Sequence, residues 1–217
     1  MTYLFLYAGL AFLFGSIPFG LLFARIKKVD IRRLGSGNIG ATNVYRTLGA
    51  GLGILTFVLD LFKGFLPTYL TLQTSPFHEA SYGILVGTFA VIGHMFSPFL
   101  AFKGGRGVAT GLGVVLAATP LVAGVALLLW LPCLLITRYM SLASLIGAWS
   151  TPFTAYTLSY DLRVVLWYLF ISILITLKHA PNISRLIQGT ENRFHFIPPG
   201  APGEREDAPQ EDQKEGG

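Results

Sequence analysis

Three polar stretches interrupt the long apolar runs of this chain, and their residue types suit phosphate chemistry. The first is Gly35-Ser36-Gly37-Asn38-Ile39-Gly40-Ala41-Thr42-Asn43, with Arg46 one turn further on. Its glycines let the backbone curl and approach a ligand closely. Ser36, Asn38, Thr42 and Asn43 offer neutral hydrogen-bonding groups, and Arg46 can grip an oxyanion through two parallel bonds. The second is Lys103-Gly104-Gly105-Arg106-Gly107-Val108-Ala109-Thr110. It carries two cations and runs into an apolar helix, whose free N–H groups favour an anion at that end. The third follows the last apolar segment, from His179 to Glu191. There His179 and Asn182 are three apart and share a helical face, within reach of a substrate hydroxyl or phosphate. Ser141 and Ser144 add hydroxyls after Arg138. Each stretch alone also reads blandly, as capping residues in a loop, a basic anchor or a juxtamembrane helix resting on anionic lipid.

Some chemistries are disfavoured by what is missing. The order G-x-x-x-x-G-K-[ST] does not occur, so the glycines do not predict ATP binding. Five residues after His78, His94, His179 and His195 stand Gly83, Phe99, Ser184 and Gly200, so no H-x-x-x-x-D pair exists. No His/Cys/Asp cluster has metal-ligand spacing, and neither a metal nor a cofactor is expected. The single cysteine, Cys133, excludes a disulfide within the chain.

The elements that must carry these stretches are membrane helices. Of 217 residues, 53% are hydrophobic and 12% charged, and the mean hydropathy is +0.60. A soluble domain needs about 25% charged residues. Apolar segments near 2–24, 50–73, 81–102, 108–136, 139–158 and 162–178 predict an all-α polytopic membrane protein. Pro120 splits the fourth into 108–118 and 120–136, giving seven transmembrane helices, some of them short. Arg25, Lys27, Lys28, Arg32, Arg33 and Arg46 follow the first segment, which puts the N-terminus outside and the C-terminus in the cytoplasm. With this parity, all three polar stretches share the cytoplasmic face. Asp60 and Lys63 fall inside the second span, three apart, and are expected to pair; His94 is expected to be structural or to line a polar cavity. Residues 1–196 form the membrane domain. Residues 197–217 carry six acidic and two basic residues with almost no apolar side chains, and are expected to be a disordered tail.

Taken in order, Ser36–Asn43, Lys103–Thr110 and His179-x-x-Asn182-Ile183-x-Arg185-Leu186-x-x-Gly189-x-Glu191 resemble the PlsY-type acyl-phosphate:glycerol-3-phosphate acyltransferases of bacterial membranes. Leu59-Asp60-x-x-Lys63-Gly64 and Ser141-Leu142-Ala143-Ser144 resemble the family too, and the similarity covers about residues 1–194. One residue departs: the family usually has Lys where this chain has Arg106. The resemblance implies acyl transfer from acyl phosphate to the 1-hydroxyl of sn-glycerol 3-phosphate, giving lysophosphatidic acid and phosphate. It implies Ser36, Arg46, Arg106, His179 and Asn182 in catalysis. Gly37, Asn38, Gly40, Thr42, Asn43, Lys103, Gly104, Gly105, Gly107 and Ser144 would hold substrate phosphate. The implied partners are acyl phosphate, glycerol 3-phosphate and membrane lipids, not nucleic acid; the implied state is a monomer in the bacterial inner membrane, its site facing the cytoplasm. The competing class is an organic-phosphate transporter, which would place its binding groups near the membrane midplane.

Overall fold

The structure is a computed structural model that describes residues 2–74 and 79–196. The acidic tail 197–217, His78 and most of the 74–80 connection lie outside the described residues. Every regular element among the described residues is helical: α1 (Thr2–Gly15), α2 (Phe19–Ile26), α3 (Ala41–Leu48), α4 (Ala50–Leu72), α5 (Ala80–Met95), α6 (Val108–Ala118), α7 (Pro120–Thr137), α8 (Met140–Thr157), α9 (Leu162–Lys178) and α10 (Ala180–Ile187).

Four stretches are long and apolar enough to cross a membrane: Tyr3–Ile26, Ala50–Leu72, Ala80–Leu100 and Pro120–Thr137. The pair α9 and α10, bent by 62° at His179, makes a fifth if taken as one span. The expected seven therefore include three helices that differ from simple spans. The break at Thr119-Pro120 lies where proline splits the fourth apolar segment, and leaves α6 only 11 residues long. That is about 16 Å, half a hydrocarbon core. Helix α8 is as long as α7 but less apolar, because Ser141, Ser144, Ser150 and Thr151 occupy its buried face.

Close helix crossings bring the pieces together. A Cβ on Gly64 would overlap the Thr110 carbonyl, and one on Gly113 the Leu61 carbonyl, so glycines set the α4–α6 distance. Ile84, Val91, Met95, Val114, Val115, Val122, Tyr168, Ile171 and Ile175 form the main core, built from α5, α6, α7 and α9. Outward-facing Phe5, Leu128, Phe153 and Leu177 are exposed, as a lipid-facing surface requires. At the end away from the polar loops, Arg163 Nη2 pairs with Glu79 Oε2 at 2.9 Å.

Candidate active site

The first glycine stretch is folded by one side chain. Asn43, one turn into α3 and 1% exposed, donates from Nδ2 to the carbonyls of Ile31 (3.2 Å), Leu34 (3.0 Å) and Asn38 (2.8 Å). Its Oδ1 accepts from the Ser36 N–H at 2.9 Å. The Gly37 N–H donates to the Leu34 carbonyl, and the Gly40 N–H to Asn38 Oδ1, both at 2.9 Å. Gly35 and Gly37 adopt φ of +57° and +70°, which a side chain would strain. The N–H groups of Ser36, Gly37 and Gly40 thus serve the loop itself. What the loop delivers to the cavity is the Ser36 hydroxyl, Asn38, and the start of α3, where the N–H groups of Ala41 and Thr42 have no partner among the described residues.

The second stretch works similarly. The N–H groups of Gly104 and Gly105 donate to the carbonyls of Met95 (3.1 Å) and His94 (3.0 Å), stitching the loop to the end of α5. Lys103 is exposed and, like Gly37, Gly104 and Gly105, does not line the cavity. Gly107, at φ +81°, turns the chain into α6 and brings Arg106, Val108 and Ala109 to the cavity wall.

Across from these loops lie α8 and α10. His179 is 2% exposed and donates from Nδ1 to the Ile175 carbonyl at 2.8 Å. A carbonyl only accepts, so the Nδ1 carries the proton and Nε2 presents a lone pair. Asn182, also 2% exposed, donates from Nδ2 to Glu191 Oε1 at 2.7 Å. A carboxylate likewise accepts, which fixes the amide with its Oδ1 turned away; that oxygen is buried and has no partner among the described residues. Glu191 further accepts from Ser141 Oγ (2.8 Å) and Arg185 Nε (2.7 Å). Ser144 donates to the Met140 carbonyl at 2.7 Å. Arg46 reaches the carbonyls of Asn192 (3.2 Å) and Arg193 (3.4 Å) through Nη2, which ties α3 to the chain after α10.

All these groups border one cavity of about 410 Å³. Ser36, Asn38, Gly40, Thr42, Asn43, Arg46, Arg106, Gly107, Ser144, His179 and Asn182 line it together, although up to 146 residues separate them in sequence. Glu191 and Ser141 line it too; their part in fixing Asn182 is a tertiary contact that no local spacing announces. Burial pulls the Arg106 guanidinium down to about 10, opposed by Glu191 and aided by the like charges of Arg185 and Arg46. It still carries its charge at neutral pH. Burial also holds His179 down, to about 4; the Ile175 hydrogen bond and Glu191 oppose this and Arg106 reinforces it, so the ring is neutral at pH 7.

Below the polar groups the cavity becomes apolar, with Leu112, Val115, Ala126, Trp130, Ile171 and Ile175 along its walls. Its apolar wall includes residues of α4 and α7. There Ile54 and Leu127 border the cavity and are 58% and 42% exposed on the lipid-facing surface. The inward Asp60 and Lys63 pair at 2.8 Å, as their spacing predicts, and Asp60 and His94 reach the cavity wall.

The cavity therefore has a side lined by cations and helix N-termini (Arg46, Arg106 and the starts of α3 and α6), a side lined by His179 and Asn182, and an apolar arm bordered by exposed residues. Such a site in a helical membrane protein defines an enzyme class that handles an oxyanion, hydroxyl groups and an acyl-like tail at once.

Comparison with known proteins narrows the class. Residues 5–189 match the family model described as glycerol-3-phosphate acyltransferase. The glycerol-3-phosphate acyltransferase of Aquifex aeolicus is 44% identical over 190 residues, covering 85% of this chain and 95% of its own. That of Geobacter sulfurreducens is 46% identical over 187 residues, covering 85% and 94%. The crystal structure of PlsY (YgiH), an integral membrane glycerol 3-phosphate acyltransferase, in its glycerol 3-phosphate form superposes with a TM-score of 0.85 at 42% identity, over 89% of this chain and 96% of that one. Its lysophosphatidic acid form gives 0.83 at 41% identity, over the same shares. This chain belongs to the glycerol-3-phosphate acyltransferase family and is an acyltransferase enzyme of the membrane-embedded PlsY type.

Proposed function

We propose that the protein transfers a fatty acyl group from acyl phosphate to the 1-hydroxyl of sn-glycerol 3-phosphate, releasing lysophosphatidic acid and inorganic phosphate. The observation that carries this reading is the split of the cavity into a side lined by cations and helix N-termini and a side lined by His179 and Asn182. Glycerol 3-phosphate has an oxyanion at one end and hydroxyls at the other. Arg46 and Arg106 neutralise the phosphate; Asn182 Oδ1 and His179 Nε2 accept from the hydroxyls. The acyl tail lies in the apolar arm and enters from the bilayer between α4 and α7.

In the reaction the 1-hydroxyl oxygen attacks the acyl carbonyl carbon. The bond from that carbon to the phosphate oxygen breaks, and phosphate leaves with the electron pair. An acyl phosphate is already activated, so catalysis consists chiefly of holding two anions together in line. Ser36 and the α3 N-terminus stabilise the developing oxyanion. The hydroxyl proton passes to an oxygen of the departing phosphate, with His179 orienting the hydroxyl. Ser144 and the first turn of α6, after Gly107, complete the phosphate contacts.

The same reading gives seven membrane passes, counting the short α6, with the N-terminus outside. The cavity faces the cytoplasm of a bacterial inner membrane, the side favoured by Arg25, Lys27, Lys28, Arg138 and Arg193. The unit is a monomer; residues 1–196 form the acyltransferase domain and 197–217 a tail without a catalytic part.

Purified protein supplied with radiolabelled glycerol 3-phosphate tests this directly. Labelled lysophosphatidic acid is expected with acyl phosphate and not with acyl-CoA. Product from acyl-CoA overturns the donor assignment. No product from either donor, in folded protein, overturns the reaction and favours transport assays in liposomes.

A further inference from the structure

Lys63 is almost wholly buried; its ammonium is ion-paired with Asp60 Oδ1 at 2.8 Å and hydrogen-bonds the Ile17 carbonyl at 2.9 Å and His94 Nδ1 at 3.0 Å. An ammonium has three N–H donors and no lone pair. Charged beside Asp60, it can only donate, so Nδ1 of His94 must receive. The proton of the neutral His94 ring then sits on Nε2, the reverse of the tautomer that the Ile175 carbonyl imposes on His179.

That Nε2–H is placed where it matters. His94 is 7% exposed and lines the cavity, and its Nε2 has no hydrogen-bond partner among the described residues. The Nε2 end of the ring packs against Gly105 of the second glycine stretch. A Cβ on Gly105 would overlap Nε2 itself, and the Gly105 N–H donates to the His94 carbonyl. The next residue is Arg106, and its side chain and His94 border the same cavity.

We propose that His94 is a further substrate-contacting residue, whose Nε2–H donates to a phosphate oxygen bound beside Arg106. Lys63 and Asp60 are its positioning residues: they fix which ring nitrogen carries the proton. The oxygen belongs either to glycerol 3-phosphate or to the acyl donor; both present the same chemistry. The inference rests on the acyl-transfer reading of the cavity.

Two substitutions separate contact from packing. His94→Asn keeps an acceptor for Lys63 but has no donor at the Nε2 position. His94→Gln keeps an N–H near that position and leaves one Lys63 proton without its acceptor. His94→Asn is expected to raise KM for one of the two phosphate substrates about tenfold or more, the loss of a hydrogen bond to a charged group, with Tm close to wild type. His94→Gln is expected to lower Tm with KM within about threefold of wild type. Which KM moves identifies the phosphate. The reverse pattern, or equal KM values in both variants, overturns the contact and leaves His94 a strut.

If either variant fails to fold, ¹⁵N-histidine NMR of the wild-type protein in detergent decides. The expected result is a His94 ring protonated at Nε2, whose resonance moves on adding glycerol 3-phosphate or inorganic phosphate. Protonation at Nδ1, or a resonance that neither ligand moves, overturns the proposal. Wild-type protein that turns over no acyl phosphate while this resonance still moves would instead locate the failure in the reaction assignment.

Discussion

Asn182 donates its amide N–H to Glu191 at 2.7 Å, and this one bond fixes which way round the Asn182 amide sits. Glu191 takes three donors, from Asn182, Ser141 and Arg185. Glu191→Ala leaves all three without their acceptor and frees Asn182 to flip. We expect a loss of about 2–4 kcal/mol of stability. The KM for glycerol 3-phosphate should rise together with a fall in kcat, read by steady-state kinetics on whatever protein folds. Unchanged kinetics would show that Asn182 does not depend on Glu191. Burial raises the Glu191 pKa, but the hydrogen bonds from Asn182, Ser141 and Arg185 and the Arg185 charge outweigh it and hold the carboxyl below its ordinary value. Its stabilisation is therefore complete above the ordinary glutamate range and is lost as the pH falls below it.

His179 makes a prediction of the same sense at higher pH, with the neutral ring as the folded form. Its folded pKa, about 4, lies below the ordinary 6.5. The unfolded chain thus binds the proton first, and this contribution to stability is whole above about pH 6.5 and declines from there down to about pH 4. The dependence of kcat/KM on pH should show no acidic limb near 6.5 that His179→Ala abolishes. A limb there, lost in that variant, would mean the ring titrates in the free enzyme. Turnover eliminated in His179→Ala with glycerol 3-phosphate affinity unchanged would make His179 the base in place of the phosphate oxygen.

Arg106 is half-buried at the cavity wall, and burial would act on a lysine there as well. Lysine starts from ~10.4, well below arginine. Arg106→Lys should keep activity at pH 7 within about tenfold, since the charge is retained. Its alkaline limb should lie at lower pH than that of the wild type, whose guanidinium titrates at about 10. Arg106→Ala should cost a hundredfold or more in kcat/KM, about 3 kcal/mol. Coincident alkaline limbs in wild type and Arg106→Lys would show that residue 106 does not control that limb.

Asn43→Asp tests whether this residue builds the loop. A carboxylate would face the carbonyls of Ile31, Leu34 and Asn38, three acceptors where the amide had donated. The variant should lose about 2–4 kcal/mol and all measurable transfer. A stable Asn43→Asp protein with only a raised KM would instead give the side chain to substrate.

The sequence by itself determined the membrane class, the helix-ending role of Pro120, the Asp60–Lys63 pair and the three polar stretches. These follow from composition and from contacts within a few residues, where hydropathy and helical spacing act directly. Tertiary structure alone decided how the polar groups are used. The glycine N–H groups look like an anion nest in sequence, yet Ser36, Gly37, Gly40, Gly104 and Gly105 turn theirs toward Asn43, Leu34, Asn38, Met95 and His94. Which nitrogen of His94 or His179 carries its proton depends on Lys63 in one case and the Ile175 carbonyl in the other. A hydrogen bond has direction and a range of about 3 Å. Whether a donor serves the loop or the substrate is fixed only once the helices have brought every competing acceptor into place.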